Sequence, residues 1–455
     1  MPCTMSTEAS QSQHGMKQFF IDNHGCAKNQ VDAEEMATRL TASGWTQAQS
    51  SAHASLIIVN SCGFIEDAKK ESLGALLSWR AAYPDKRIIL AGCLAQRYAE
   101  QLDGDLPEAD YIFGNGDLSL VPQAADNAMA GKKGVNAPPI KAYQPARRTN
   151  LMGFPRMAYL KLAEGCSNHC AFCAIPIIRG ELSSRDPEDV AQELRELVAS
   201  GIYEICLIGQ DLGSYGIDRA GSSLLPQLLE HIRNIDGDFR VRMLYIHPDR
   251  FPSGLLDACA RDKRILPYFD IPFQHASTPI LKAMNRSGNA ESYMQLVSEI
   301  RKALPDAVIR TTFLLGFPGE NDEDLRALLD FQAQLQPDWL GAFTYSREED
   351  TPAYGFKGRV PKRIAVARKR MIEQAQETIT QTALSRWIGY QCDALVEERI
   401  EGEDLAIARG PMNAPDVDGS IVIVGGNLKA GDIVPVRIEA VRGVDLEAVC
   451  RGPAR

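Results

Sequence analysis

From Lys17 onward, short apolar runs alternate with stretches whose apolar residues recur at helical spacing. Apolar runs at 18–22, 56–60 and 87–91 predict strands, and amphipathic stretches at 32–40 and 64–80 predict helices between them. That alternation is the signature of a parallel α/β sheet. A stretch rich in Gly, Lys, Pro and Ala (131–145) then breaks the pattern and predicts a linker. The alternation resumes near Leu151, with strands expected at 157–163, 204–209, 241–246, 268–272, 308–315 and 339–345. Six such units predict a partial or complete (β/α) barrel. A long charged helix is expected over 361–387. After it come short β-type runs at 394–398, 405–409, 420–424 and 433–440, separated by Gly and Asp turns. They predict a small all-β barrel or sandwich. The expected division is a disordered polar leader (1–16), an N-terminal α/β domain (17–130), a linker (131–150), a (β/α) core (151–385) and a C-terminal β domain (386–455).

Composition narrows the function classes. The 455 residues are 45% hydrophobic and 24% charged, as in ordinary globular proteins. No apolar run approaches the roughly 18–20 residues that span a bilayer, and the first sixteen residues lack the apolar core of a signal peptide. A cytoplasmic location with no membrane partner is the expectation. There, eleven cysteines point to metal binding or catalysis rather than to disulfides. A net charge of −10 argues against a chain-wide nucleic-acid surface and suits a basic partner.

Six of the cysteines form two groups. Cys26, Cys62 and Cys93 each fall one to four residues beyond a predicted strand. In a parallel sheet those strand ends share one edge, where ligands bind. Three thiols far apart in sequence would meet there, with Gly25, Gly63 and Gly92 permitting close backbone approach. The plainer alternative is three buried core cysteines. The second group is Cys166, Cys170 and Cys173, a CxxxCxxC loop after the first strand of the second block. Thiolates at this density bind an iron–sulfur cluster or zinc, or act as a redox pair. A structural zinc wants four ligands, and only His169 offers a local fourth. A 4Fe–4S cluster on three cysteines leaves one iron open to a small chelating ligand. Cys3, Cys206, Cys259, Cys392 and Cys450 are read as structural.

The CxxxCxxC loop after a first barrel strand resembles the radical S-adenosylmethionine (SAM) superfamily. With the upstream triad and the C-terminal β domain, the whole chain from Lys17 resembles the methylthiotransferases of that superfamily. Further matching stretches are 175–180 (IPIIRG), 209–211 (GQD), 311–320 (TTFLLGFPGE) and 343–346 (FTYS). The resemblance implies a 4Fe–4S cluster on Cys166, Cys170 and Cys173 that binds SAM, an auxiliary 4Fe–4S cluster on Cys26, Cys62 and Cys93, and a C-terminal TRAM domain. Two SAM molecules would be consumed, and a flavodoxin- or ferredoxin-type reductant would supply electrons. The stretches 270–277 (DIPFQHAS) and 345–349 (YSREE) resemble the protein-modifying branch, which methylthiolates an aspartate of ribosomal protein S12, free or in the small subunit. Asp350 departs from that pattern, where a Gly is usual. The competing readings are a tRNA adenosine methylthiotransferase and, from another class, a non-catalytic iron–sulfur carrier or RNA-binding protein.

Beyond the cluster ligands no catalytic residue is singled out. Glu164, Arg185 and Gln210 are candidates for polar contacts to SAM. Asp211, His247, Gln274, His275, Ser346 and the 316–320 turn are expected at barrel strand ends. Seven basic residues over 357–370 form either a phosphate-contacting patch or a solvated helix face. Residues 386–455 carry eight basic against twelve acidic side chains, a net −4 that is the wrong sign for gripping a phosphate backbone.

Overall fold

The computed structural model describes residues 17–140, 143 and 145–455; the leader and its Cys3 lie outside the described residues. The N-terminal sheet is all parallel: β1 (Gln18–Asn23), β2 (Thr46–Gln47), β3 (Leu56–Ser61), β4 (Arg87–Gly92), β5 (Tyr111–Phe113) and β6 (Val135–Asn136), in the order β2-β1-β3-β4-β5-β6. The central strands are apolar on both faces because helices cover both sides. Ile58, Ile89 and Ala91 pack on one face, and Ile57, Val59, Ile88 and Leu90 on the other. The last two strands are too short to announce themselves as apolar runs. Strand β6 lies inside the expected linker, which therefore contributes an edge strand to the sheet.

The core strands are β7 (Met157–Lys161), β10 (Glu204–Ile208), β11 (Arg240–Met243), β12 (Ile265–Asp270), β13 (Val308–Leu315) and β14 (Trp339–Thr344), with the short antiparallel pair β8 (Ala163–Glu164) and β9 (Ser183–Ser184) beside them. All six core strands are parallel, in the order β14-β13-β12-β11-β10-β7, and the first and last do not pair. The barrel is therefore partial. Its outward side chains (Leu160, Ile205, Val241, Phe269, Ile309) pack under the helices. Five strands close the C-terminal barrel: β15 (Gln391–Arg399), β16 (Leu405–Arg409), β17 (Ile421–Val424), β18 (Ile433–Arg442) and β19 (Asp445–Cys450). The fifth escaped the sequence pattern because only Leu446 and Ala448 of its six residues are buried.

Buried charges join the domains. Glu204 at the start of β10 accepts from Arg240, Arg242 and Arg409, and the two core arginines also donate to backbone carbonyls of 393 and 409–411. Tyr268 donates to Asp418 (2.6 Å) and Trp339 to the Met412 carbonyl (2.8 Å), so the loop between β16 and β17 is bound to the core. Glu348, in the 345–349 stretch, takes Lys69 (3.0 Å) and Arg97 (2.7 Å) of the N-terminal domain. No helix among the described residues is long and apolar enough to cross a membrane.

Candidate metal centres at two facing strand ends

The first triad lies at the carboxyl edge of the N-terminal sheet. Cys26 caps the helix Ala27–Ala42, Cys62 follows β3, and Cys93 opens the helix Cys93–Arg97 directly after β4. Asn29 Oδ1 faces both Cys93 Sγ (3.5 Å) and Cys26 Sγ (3.8 Å). Its amide nitrogen is clamped by the carbonyls of His24 and Ser61, both at 3.0 Å. Space here is tight by construction: a Cβ on Gly63 would lie 2.8 Å from the Cys93 backbone. Gly63→Ala should therefore displace Cys93 and, if the triad holds the expected cluster, lower its iron uptake while sparing the other site. Iron and sulfide analysis of the reconstituted variant is the check; full iron loading would show that the cradle tolerates the methyl group.

The second triad sits in the loop between β8 and the helix Ile175–Arg179. Gly165 turns the chain at φ +69°, where a Cβ would collide with the Glu181 carbonyl, so only glycine fits before Cys166. Cys166 donates its backbone N–H to Gly180 O (3.1 Å) and Ala171 donates to Met284 O (2.9 Å), which fixes the loop at both ends. His169 points to solvent, its side chain 57% exposed and 3.5 Å from Glu181, so the suggested local fourth ligand is turned away from the thiols. His247 Nε2 instead stands 3.9 Å from Cys170 Sγ.

The donor sets suit cubane clusters. The ten described cysteines are all free. Among the described residues no three His, Cys, Asp or Glu side chains converge on a single-ion position. A cubane takes each thiolate on a different iron, so it needs thiols arranged around a space rather than on a point. Burial pushes Cys93 and Cys173 up to about 12 and Cys166 to about 11, and it raises Cys62 as well. Metal binding at these positions must displace protons.

The first triad is tied to the helix that follows the second by buried charges that sequence reasoning missed. Arg179, six residues beyond Cys173, donates to Cys93 Sγ (3.1 Å), Asn29 Oδ1 (3.0 Å), Asp32 (2.8 Å) and Glu164 (2.9 Å). Lys161 completes the set with Asp32 (2.6 Å) and Glu164 (2.8 Å). Burial alone would raise the Glu164 carboxyl; Lys161 and Arg179 reverse that and hold it at about 2. Glu164 is thus occupied by these cations. Arg185 is likewise held by Glu193 (2.7 Å), Asp189 (2.8 Å) and the Lys161 carbonyl (3.0 Å). Of the three candidates for SAM, Gln210 alone keeps a buried oxygen without a hydrogen-bond partner.

The other strand-end residues are placed as follows. Asp211 accepts from Asn168, Gly213, Ser214 and His247 and so ties the CxxxCxxC loop to the end of β10. His275 is fully buried and accepts from the Ala276 and Ser277 amides; Gln274 beside it has φ 68°. In the 316–320 turn Glu320 accepts from Gly316 (2.7 Å) and Arg368 (2.8 Å). Arg368 is therefore buried, while Lys357, Arg359, Lys362, Arg363 and Arg370 are exposed. Ser346 donates to Glu348 (2.6 Å).

Sequence comparison matches residues 160–331 to the radical SAM superfamily, 388–450 to the TRAM domain and 18–114 to the uncharacterized protein family UPF0004. The radical SAM methyltransferase TsrM of Kitasatospora setae, solved with cobalamin and a [4Fe-4S] cluster, shares the fold at a TM-score of 0.55 and 16% identity over 74% of each chain. The partial parallel barrel carrying a CxxxCxxC loop defines a radical SAM enzyme. The ribosomal protein uS12 methylthiotransferase RimO of Treponema denticola is 47% identical, covering 94% of this chain and all of that protein. The same-named protein of Thermosipho africanus is 37% identical over 90% and 93% of the two chains. The chain belongs to the RimO family of radical SAM methylthiotransferases, and is a transferase.

Proposed function

We propose that this enzyme methylthiolates the β-carbon of an aspartate in ribosomal protein S12. Cys166, Cys170 and Cys173 would hold the SAM-binding 4Fe–4S cluster, and Cys26, Cys62 and Cys93 an auxiliary one. When bound, these groups and two SAM molecules supply what acid–base side chains cannot: electrons, a carbon radical and the methylthio group. The chain's own residues hold and align them. Asn29 orients the auxiliary thiols, and Arg179 places a permanent positive charge against Cys93, favouring an anionic ligand set there. The helix Ala27–Ala42 is held onto β7 by the buried Asp32–Lys161 pair. Gln210, with its unpaired oxygen, is the best of the SAM candidates. A flavodoxin- or ferredoxin-type reductant would supply the electrons.

The single observation that carries this reading is Arg179, on the helix that follows the CxxxCxxC loop, donating to Cys93 of the first triad. The names of the relatives support S12 as substrate. So does the acidic balance of the C-terminal domain, since complementary charge steers a basic protein more readily than RNA. Glu398, Glu401 and Glu403 are exposed there, whereas Glu397 is turned inward onto Arg409 and cannot meet a partner. Reconstituted enzyme with SAM and reductant should add a methylthio mass to an S12 aspartate and none to tRNA. Binding to S12 should weaken with salt and with Glu398, Glu401 and Glu403 changed to Lys. Methylthiolated adenosine with unmodified S12 would assign the enzyme to the tRNA branch instead.

A further inference from the structure

Among the described residues, Lys28 is a buried cation without a counter-ion. Lys28, in the first turn of the helix Ala27–Ala42, is 8% exposed. Its ammonium lies 3.6 Å from the centre of the Tyr245 ring, and among the described residues it makes no hydrogen bond or ion pair. The charged groups that face it are Cys26 on its own helix, and Arg179, Asp270 and Glu164 from the core. Neither core carboxylate is free to answer it: Glu164 belongs to Lys161 and Arg179, and Asp270 to Arg310 at 2.9 Å. A cation taken out of water without a partner is strongly unfavourable, so a buried lysine either gives up its proton or takes an anion from outside the fold.

Its position says where such an anion would come from. Glu164 ends β8, Tyr245 follows β11 and Asp270 ends β12, so the ammonium stands over the carboxyl-end mouth of the partial barrel. It is also two residues from Cys26, between the two cluster sites. We propose that Lys28 is the specificity-determining residue that receives the side-chain carboxylate of the substrate aspartate. This deepens the S12 reading and rests on it. The ammonium has all three donors to offer, with an aromatic face closing one side. A carboxylate held there has its β-carbon one bond away, so one ion pair both selects an acidic residue and aims the carbon to be functionalised. A neutral adenine edge would leave the ammonium without an anion.

The test compares wild type, Lys28→Met and Lys28→Arg as full-length reconstituted proteins. The substrates are S12 and S12 with its target Asp changed to Asn. Lys28→Met should keep its iron and its SAM dissociation constant within about twofold. Its kcat/KM for S12 should fall roughly 30-fold or more, as expected when one partner of a buried charge pair is removed. Lys28→Arg should recover part of that loss. Wild type should prefer Asp over Asn substrate strongly, and Lys28→Met should narrow that ratio toward one, the non-additivity of groups in contact. The substrate-free midpoint of thermal unfolding should rise in Lys28→Met, because an unpaired buried charge is gone. An unchanged Asp-to-Asn ratio would overturn the proposal. So would a SAM affinity weakened tenfold, which would assign the ammonium to SAM's own carboxylate, or a loss of iron, which would assign it to the Cys26 site. Failure of iron-loaded wild type to modify S12 would instead bring down the substrate reading itself.

Discussion

With Cys166, Cys170 and Cys173 all changed to Ala, anaerobically reconstituted protein should keep about half its iron and form no 5′-deoxyadenosine from SAM. The complementary change of Cys26, Cys62 and Cys93 should also halve the iron yet leave SAM cleavage in place. Full loading should be about eight irons and eight sulfides, as two cubanes. The asymmetry follows from the architecture. Each triad is carried by its own domain, on loops fixed by that domain's backbone, so emptying one leaves the other's thiols where they are. Arg179 would lose Cys93 in the second variant but keep Asn29, Asp32 and Glu164, enough to hold the domains together. Iron and sulfide analysis with chromatographic detection of 5′-deoxyadenosine decides it. Tightly held zinc with no iron uptake would end the radical reading.

Glu204→Gln should be among the most destabilising single changes in the chain. The carboxylate is fully buried between Arg240 (2.5 Å), Arg242 (2.9 Å) and Arg409 (2.7 Å). An amide removes the charge all three depend on and turns a donor toward at least one of them. Removing one member of a buried ionic cluster costs about 3–5 kcal/mol. The loss should appear in urea unfolding, and as faster proteolysis near the junction of the core and C-terminal domain, since Arg409 belongs to β16. Burial would raise this carboxyl, but the three arginines overcome that and hold it well below its ordinary 4.5. Its contribution is therefore complete above pH 4.5 and is lost only as pH falls through the lower folded value. The gap between wild type and Glu204→Gln should stay constant from pH 7 to 5 and narrow below 4.5. A gap that shrinks already between pH 7 and 6 would show that other groups dominate.

The central strands and the six clustered cysteines were legible because each carries a signal that needs no partner. A strand buried on both faces is a continuous apolar run, and a cysteine just past it lies at the sheet's carboxyl edge whatever surrounds it. The charged connections were not legible. The pattern predicts a helix over 32–40, yet it begins at Ala27; its first turn carries Lys28 and Asn29, and polar residues at a helix start read as solvated. They are buried, with Asp32, Glu34 and Glu35, because a second domain covers the helix. No local pattern encodes that covering. The same holds for Glu397, which reads as surface charge until Arg409 is seen beneath it, and for His169, whose backbone at φ 49° turns it outward.

The ion cluster between the triads bears on how such a chain could be recombined. Two of its carboxylates and two of its cations are divided between domains: Asp32 comes with the N-terminal sheet, and Lys161, Glu164 and Arg179 with the core. A chimera cut anywhere between 43 and 156, taking its N-terminal part from a protein with a neutral residue at position 32, would inherit two cations against one carboxylate in a buried interface. The surplus charge would lie beside Cys93, so the graft would fail at the auxiliary site first. The unit of exchange is therefore larger than the N-terminal domain: it must run from Cys26 through Arg179, with both cysteine loops travelling together.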